Sequence, residues 1–132
     1  MYNNDVIVQF DNRQHFMECL KENPGVIILQ FTATWCKPCR KIKPYIEKKF
    51  THCQGNIICC QLDVDENSEL YAFMKKNRQV NGIPALLAYF KGNTSSYANI
   101  SISGCEQESI DDFFKKCIER NYIINHQIVN NI

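Results

Sequence analysis

Cys36 and Cys39, in the segment Trp35-Cys36-Lys37-Pro38-Cys39, are the residues of this chain best suited by type and spacing to do chemistry. They follow an apolar run, Val26 to Phe31, that has the character of a strand. A Cys-x-x-Cys in that position opens the next helix, where unpaired backbone N–H groups and the helix dipole stabilise a thiolate. The chemistry this points to is reversible dithiol–disulfide exchange. The same spacing is half of many zinc sites, but no second Cys/His pair stands at finger spacing, and His15, His52 and His126 are isolated in sequence. Metal binding is therefore not expected.

Positioning such a pair takes one compact core, and composition supports one. The chain has 132 residues, 45% of them hydrophobic, which suits a single domain that needs no disulfide staples. A net charge of +1 offers no basic face for nucleic acid and no polybasic membrane signal. No apolar run approaches the roughly 18 residues of a membrane span. Met1-Tyr2-Asn3-Asn4-Asp5 lacks the charged and apolar segments of a secretory signal, and Val129-Asn130-Asn131-Ile132 carries no lipidation or retention motif. The expectation is a cytoplasmic protein, monomeric, without nucleic-acid or membrane partners. Its eight cysteines are then mostly reduced, several of them acting as small buried hydrophobes. The sequons at Asn93 and Asn99 are read as chance matches.

Val6 to Phe10 reads as a short first strand, and Asn12 to Glu22 as a helix with Phe16, Cys19 and Leu20 on one face, ended by Asn23-Pro24-Gly25. Val26 to Phe31 suits a strand covered on both faces. A helix from about Cys36 to Phe50 turns Ile42, Tyr45 and Ile46 inward, with Pro44 expected to bend it. Ile57 to Val64 is another buried strand, followed by a helix bearing Leu70, Phe73 and Met74. Ala85 to Phe90 is a further apolar strand, and Lys91-Gly92-Asn93 suggests a hairpin turn into a strand alternating Ile100 and Ile102 with serines. The last helix, from about Gln107 to Asn121, spaces Ile110, Phe113, Phe114, Cys117 and Ile118 on one side. This βαβαβαββα order places helices on both faces of a mixed sheet, an α/β fold.

From Val6 to about Asn121 the chain closely resembles the thioredoxin family. The resemblance rests on four matches in order: Phe31 to Arg40 followed by Ile42-Lys43-Pro44, Leu62-Asp63-Val64-Asp65, Gly82-Ile83-Pro84 before an apolar strand, and Gly104. It implies a thioredoxin fold over 1–121, with five strands in the order 1-3-2-4-5, the last two antiparallel to the others, flanked by four helices. Residues 122–132 extend beyond the usual family end. Ile124, Ile128 and Ile132 share helical spacing there, so the tail either prolongs the last helix or frays.

The resemblance also implies protein-disulfide reduction. Cys36 is the expected nucleophile and Cys39, one turn further and partly buried, the resolving thiol, closing a Cys36–Cys39 bridge. Trp35 is expected to shield the site and offer an apolar surface. A cis Ile83–Pro84 bond forms the adjoining loop, the backbone of Ile83 pairs with substrate, and Gly104 borders the groove. Partners would be disulfide-containing proteins. No cofactor is expected to be bound; electrons would come from NADPH through a thioredoxin reductase, or from glutathione.

Three departures bear on the chemistry. Gln30 stands where most thioredoxins have a buried Asp, and Gln61 where many have a Lys, which suggests a neutralised pair. Lys37 replaces the glycine usual before Pro38, and a cation there favours the thiolate form of Cys36. These changes point to a couple less reducing than ordinary thioredoxin, so a thiol oxidase or isomerase is the alternative enzyme. A non-catalytic module holding a partner at the Trp35–Pro84 surface is the alternative outside enzymes, and two intact cysteines argue against it. Among the other thiols, Cys19 and Cys117 are expected to pack on helix faces, Cys59 and Cys60 to alternate across a strand, and Cys53 to sit in a loop. Cys105 borders the groove, an inert side chain being favoured over a regulatory thiol.

Overall fold

The computed structural model describes the backbone of residues 5–130 and the side chains of residues 5–126. Its elements are helices α1 (Arg13–Lys21), α2 (Lys37–Thr51), α3 (Ser68–Lys76) and α4 (Gln107–Asn130), and strands β1 (Val26–Thr32), β2 (Ile57–Asp63), β3 (Ala85–Phe90) and β4 (Ile100–Ser103). The sheet runs β2-β1-β3-β4.

β1 lies inside the sheet because it is apolar on both faces. Ile27, Leu29 and Phe31 pack toward α1 and α3, while Val26 and Ile28 pack toward α2 and α4. β2 repeats the division, with Cys60 and Leu62 on the first face and Ile57 and Cys59 on the second. The period-two alternation of a strand thus sorts one sequence run into two separate cores. The first core is closed by Phe16, Leu20, Leu70 and Met74, and the second by Ile42, Ile46, Phe50, Phe113 and Phe114.

Two sequence expectations are corrected here. Among the described residues the sheet has four strands, and Val6 to Phe10 forms no strand but a single parallel bridge, Ile7 with Cys60. The segment does lie along β2, where Ile7 N donates to Cys59 O (3.0 Å) and Gln61 N to Ile7 O (2.8 Å). Val6 and Val8 face solvent, and Asn67 then draws the chain away. Its Oδ1 accepts from Phe10 N at 2.8 Å and its Nδ2 donates to Val8 O at 3.2 Å. The ladder ends because a side chain takes the backbone groups that would continue it. The second correction is direction: β3 is antiparallel to both β1 and β4, so β4 runs the same way as β1.

The expected hairpin between β3 and β4 is wider than a tight turn. Gly92 turns with φ 96°, and the connection continues to Asn99, whose Oδ1 accepts from Phe90 N (2.8 Å) and from Asn93 Nδ2 (2.9 Å). Both sequon asparagines are therefore engaged in holding this loop. At the other end of the chain α4 continues past Asn121 to Asn130. Ile124 is buried, and Asn125 Oδ1 accepts from Asn56 Nδ2 at 2.8 Å. The Ile128 side chain and Ile132 lie outside the described residues.

Gly25 is where α1 hands over to β1. A methyl group there would stand 2.7 Å from the Asn56 carbonyl oxygen, which accepts from Val26 N, and 2.5 Å from Asn121 Oδ1. Gly25→Ala is therefore expected to lower stability by about 1–3 kcal/mol through overpacking, seen as a lower urea midpoint with little change in slope. An unchanged midpoint would show that the β1–β2–α4 junction has slack.

Candidate active site at the N-terminus of α2

α2 begins at the end of β1, after a short loop in which Cys36 N donates to Ala33 O at 3.3 Å. Cys36 is the N-cap residue of the helix, with extended backbone, and its sulfur accepts from Cys39 N at 3.3 Å. A cysteine here takes the place of the usual Ser, Thr or Asp cap. Pro38 fits the first turn because its missing N–H would have no helical partner there. The first turn holds no acidic residue and the last holds Lys48 and Lys49. The positive end of the dipole is thus left uncompensated beside the sulfur.

The Cys36 and Cys39 sulfurs are paired at disulfide distance, with Cα atoms 5.2 Å apart. Cys36 is 8% exposed and Cys39 fully buried, so both lie deeper than the sequence suggested. Lys37 and Pro38 between them are exposed. Trp35 is 64% exposed and belongs to neither core. Its indole Nε1–H donates to Asp65 Oδ2 at 2.8 Å, fixing the ring over the surface beside the helix tip. Sequence reasoning missed Asp65 in this role; it lies 30 positions away and its local setting is that of an ordinary turn carboxylate. Asp63, from the same segment, organises that turn by accepting from Asp65 N (2.8 Å) and Glu66 N (3.3 Å).

The Ile83–Pro84 peptide is cis. Pro84 is buried and Ile83 half-buried, and Pro84 O accepts from Gly104 N at 2.9 Å. Gly104 adopts φ 92°, a left-handed conformation that favours glycine. Gly82, Ile83, Pro84 and Gly104 are in this way brought into one loop pair, and the neighbouring Cys105 is exposed.

On the α2 side of the sheet, Gln30 and Gln61 are register partners on β1 and β2. Gln61 Nε2 donates to Gln30 Oε1 at 3.1 Å and reaches Glu47 Oε2 at 3.4 Å. The two amides thus satisfy one another in part. Gln30 is 1% exposed, and its Nε2 is buried without a hydrogen-bond partner. Outside this pair opens a cleft of about 540 Å³, lined by Val8, Cys39, Arg40, Lys43, Glu47 and Gln61 among others. Arg40 Nη1 also donates to Thr34 O at 2.9 Å, tying the first turn of α2 to the loop that leads into it. Glu47 escaped the sequence reading, and Arg40 entered it only as the end of a matched motif, since both sit on an exposed helical face with no local signal. No three His, Cys, Asp or Glu side chains among the described residues are arranged to hold a metal ion. No helix there is long and apolar enough to cross a membrane.

Comparison with known proteins matches this arrangement. The family model described as Thioredoxin matches residues 7–116. A probable thioredoxin-2 of Caenorhabditis elegans is 26% identical over 110 residues, covering 83% of this chain and 70% of that protein. Protein disulfide-isomerase A5 of Bos taurus is 28% identical over 86 residues, 65% of this chain but only 16% of its own length. Among solved structures, thioredoxin of Fasciola hepatica superposes with a TM-score of 0.66 at 22% identity, covering 83% of this chain and 98% of that one. With the family model spanning most of its length and the paired cysteines capping α2, the chain belongs to the thioredoxin family.

Proposed function

We propose that the chain is a thiol–disulfide oxidoreductase that reduces protein disulfides through Cys36 and Cys39. The observation that carries the reading is the pairing of those two sulfurs at the N-terminus of α2. Cys36 is the nucleophile because its sulfur receives the Cys39 N–H and faces the positive end of the helix, both of which favour the thiolate. The thiolate attacks one sulfur of a substrate disulfide. A mixed disulfide forms at Cys36, and the first substrate thiolate leaves. Cys39, fully buried, is out of reach of a protein substrate and resolves the intermediate from within. Its attack on Cys36 Sγ releases the second substrate thiol and forms the Cys36–Cys39 bridge.

Substrate would lie across Trp35, the Ile83–Pro84 loop and Gly104. Pro84 O is already taken by Gly104 N, while among the described residues no backbone hydrogen bond occupies Ile83. An extended peptide can pair with it there, the recognition mode of strand addition. Electrons to reopen the bridge would come from NADPH through a thioredoxin reductase, or from glutathione.

With NADPH and a thioredoxin reductase, the protein is expected to reduce an insulin-type disulfide, with Cys36→Ser falling to background. Cys39→Ser is expected to accumulate a covalent mixed disulfide that dithiothreitol releases. A Cys36→Ser variant that keeps its turnover would remove the proposal. The neutral Gln30 and the exposed Lys37 set the potential above the roughly −270 mV of ordinary thioredoxin and below the roughly −180 mV of disulfide isomerase. Equilibration with glutathione buffers measures it, and a value at or below the lower figure contradicts the roles given to those two residues.

The buried amide pair yields a stability prediction of its own. Gln30→Glu puts a carboxyl into a 1%-exposed site, where desolvation raises its pKa in the folded state above its unfolded value. Below the unfolded value both states are neutral and no charge penalty applies. Above it the unfolded chain ionises more readily, so stability falls as pH rises. The variant is expected to lose about 1–3 kcal/mol more at pH 7 than at pH 4, relative to the wild type. Urea midpoints at the two pH values decide it, and equal losses would place the side chain in contact with water.

A further inference from the structure

Between α3 and β3 the chain crosses from one buried anchor to another through a short surface bridge. Val80 and Pro84 are buried, Gly82 and Ile83 are half-buried, and Asn81 is exposed. Asn81-Gly82 is the one Asn-Gly pair in the sequence. Glycine matters here because it has no side chain to screen its backbone nitrogen. Gly82 adopts φ 155°, and no atom beyond its chain neighbours stands within 4 Å of the place its Cβ would take. Neither the Asn81 side chain nor the Gly82 N–H has a hydrogen-bond partner among the described residues. A carboxamide is thus held loosely beside an open, unbonded backbone nitrogen.

Other asparagines are protected by the fold or by their neighbours. Asn67 precedes a small residue, Ser68, but it is 2% exposed. Its Oδ1 accepts from Phe10 N, and its Nδ2 donates to Val8 O (3.2 Å) and to Asp63 O (3.1 Å). Ser68 opens α3, so the backbone at its nitrogen is set by the helix. Asn93 and Asn99 hold the β3–β4 loop with their side chains. They are followed by Thr94 and Ile100, whose branched side chains crowd the nitrogen. Among the described asparagines, Asn81 alone joins exposure, an unbonded amide and an unscreened neighbour.

We propose that Asn81 is a site of spontaneous modification, converted through a succinimide to isoaspartate at the edge of the substrate loop. The Gly82 nitrogen, losing its proton to base, bonds to Asn81 Cγ, and the Cγ–Nδ2 bond breaks with release of ammonia. Water then opens the five-membered ring. Opening at the side-chain carbonyl leaves aspartate, and opening at the main-chain carbonyl leaves isoaspartate, whose backbone runs through Cβ and Cγ. No electrons are exchanged: one water is consumed and one ammonia is released. The formal net charge falls from +1 to zero. Isoaspartate also inserts one carbon–carbon bond, about 1.5 Å, into the chain. Val80 and Pro84 are anchored on either side, so Gly82 and Ile83 take up the added length. These are the residues against which the substrate backbone would lie, and turnover would decline as the protein ages. The product is of the class that S-adenosylmethionine-dependent isoaspartyl methyltransferases accept. The loss of turnover rests on the reductase reading, and the modification itself does not.

The test incubates the full chain at mildly alkaline pH and body temperature under dithiothreitol, which keeps cysteine oxidation out of the comparison. The expected product is one mass unit heavier, focuses as a more acidic species and accepts a methyl group from an isoaspartyl methyltransferase. Fragmentation should place the change at Asn81 and leave Asn67 intact. Asn81→Gln, whose side chain would have to close a larger ring, should stay unmodified over the same period. After removal of dithiothreitol, the isoaspartyl form is separated and assayed against fresh protein on an insulin-type disulfide, with NADPH and a thioredoxin reductase. Its KM should rise several-fold with kcat little changed. Asn81→Asp, which carries the charge without the added carbon, should turn over as fresh protein does. A chain that stays unmodified, earlier modification at another asparagine, or an unchanged KM in the isoaspartyl form would each overturn the proposal. An equal rise in KM for Asn81→Asp would assign the effect to charge and overturn the backbone account. Fresh protein without turnover would sink the reductase reading instead, while mass and methylation still decide the modification.

Discussion

The hydrogen bond from Cys39 N to Cys36 Sγ, at the first turn of α2, is the contact on which the site depends. A helix must leave its first backbone N–H groups without internal partners. Here one of them is satisfied by sulfur rather than by the oxygen of a Ser or Asp cap, so the demand that ends the helix is met by a reactive atom. Sulfur is the poorer acceptor as a thiol and the better one as a thiolate. Capping and thiolate stabilisation are therefore one interaction. The lack of acidic residues in the first turn and the two lysines in the last keep the helix field acting on Cys36 alone.

That contact requires α2 to start at a fixed height above the sheet, and β1 sets it. The strand is hydrogen-bonded on both edges and covered on both faces, so neither its register with β2 nor that with β3 can slip without exposing an apolar row. Its last residues lead straight into the loop before Cys36. β3 begins directly after Pro84 and pairs with β1 from Phe31 to Ala85. The same strand therefore delivers the cysteine loop and fixes the cis-proline loop. Trp35 is pinned by Asp65 from the loop after β2. These three segments each follow or precede a strand at the same end of the sheet, where ligand-binding loops of open α/β sheets commonly lie.

The parts legible in the sequence are those whose pattern repeats. Phe16 and Leu20, Ile42 and Ile46, Leu70 and Met74, and Ile110, Phe113, Phe114 and Cys117 are all buried at helical spacing, and Val26 to Phe31 is buried throughout. The cysteine pair was legible because its chemistry needs two residues one turn apart. What failed were features set by tertiary partners. Val6 to Phe10 has strand composition, but Asn67, 57 positions beyond Phe10, takes its backbone groups. The Trp35–Asp65 contact joins residues whose local surroundings carry no shared pattern. Only the folded chain makes them neighbours.

Gln30 and Gln61 show how a substitution pair changes the character of a site without moving it. Each amide has both donor and acceptor, so two facing amides can partly satisfy each other where a lone Asp or Lys would sit charged in the core. The pairing leaves one cost, the Gln30 Nε2 donor with no partner in a buried position. A buried unpaired N–H is unfavourable by about 1–3 kcal/mol, yet it cannot ionise, so its cost does not change with pH. A carboxylate in that place would bring a charge into the core and would also offer to take a proton. The amide does neither. Gln30 therefore adds no titrating group beside the cleft lined by Cys39, Glu47 and Gln61.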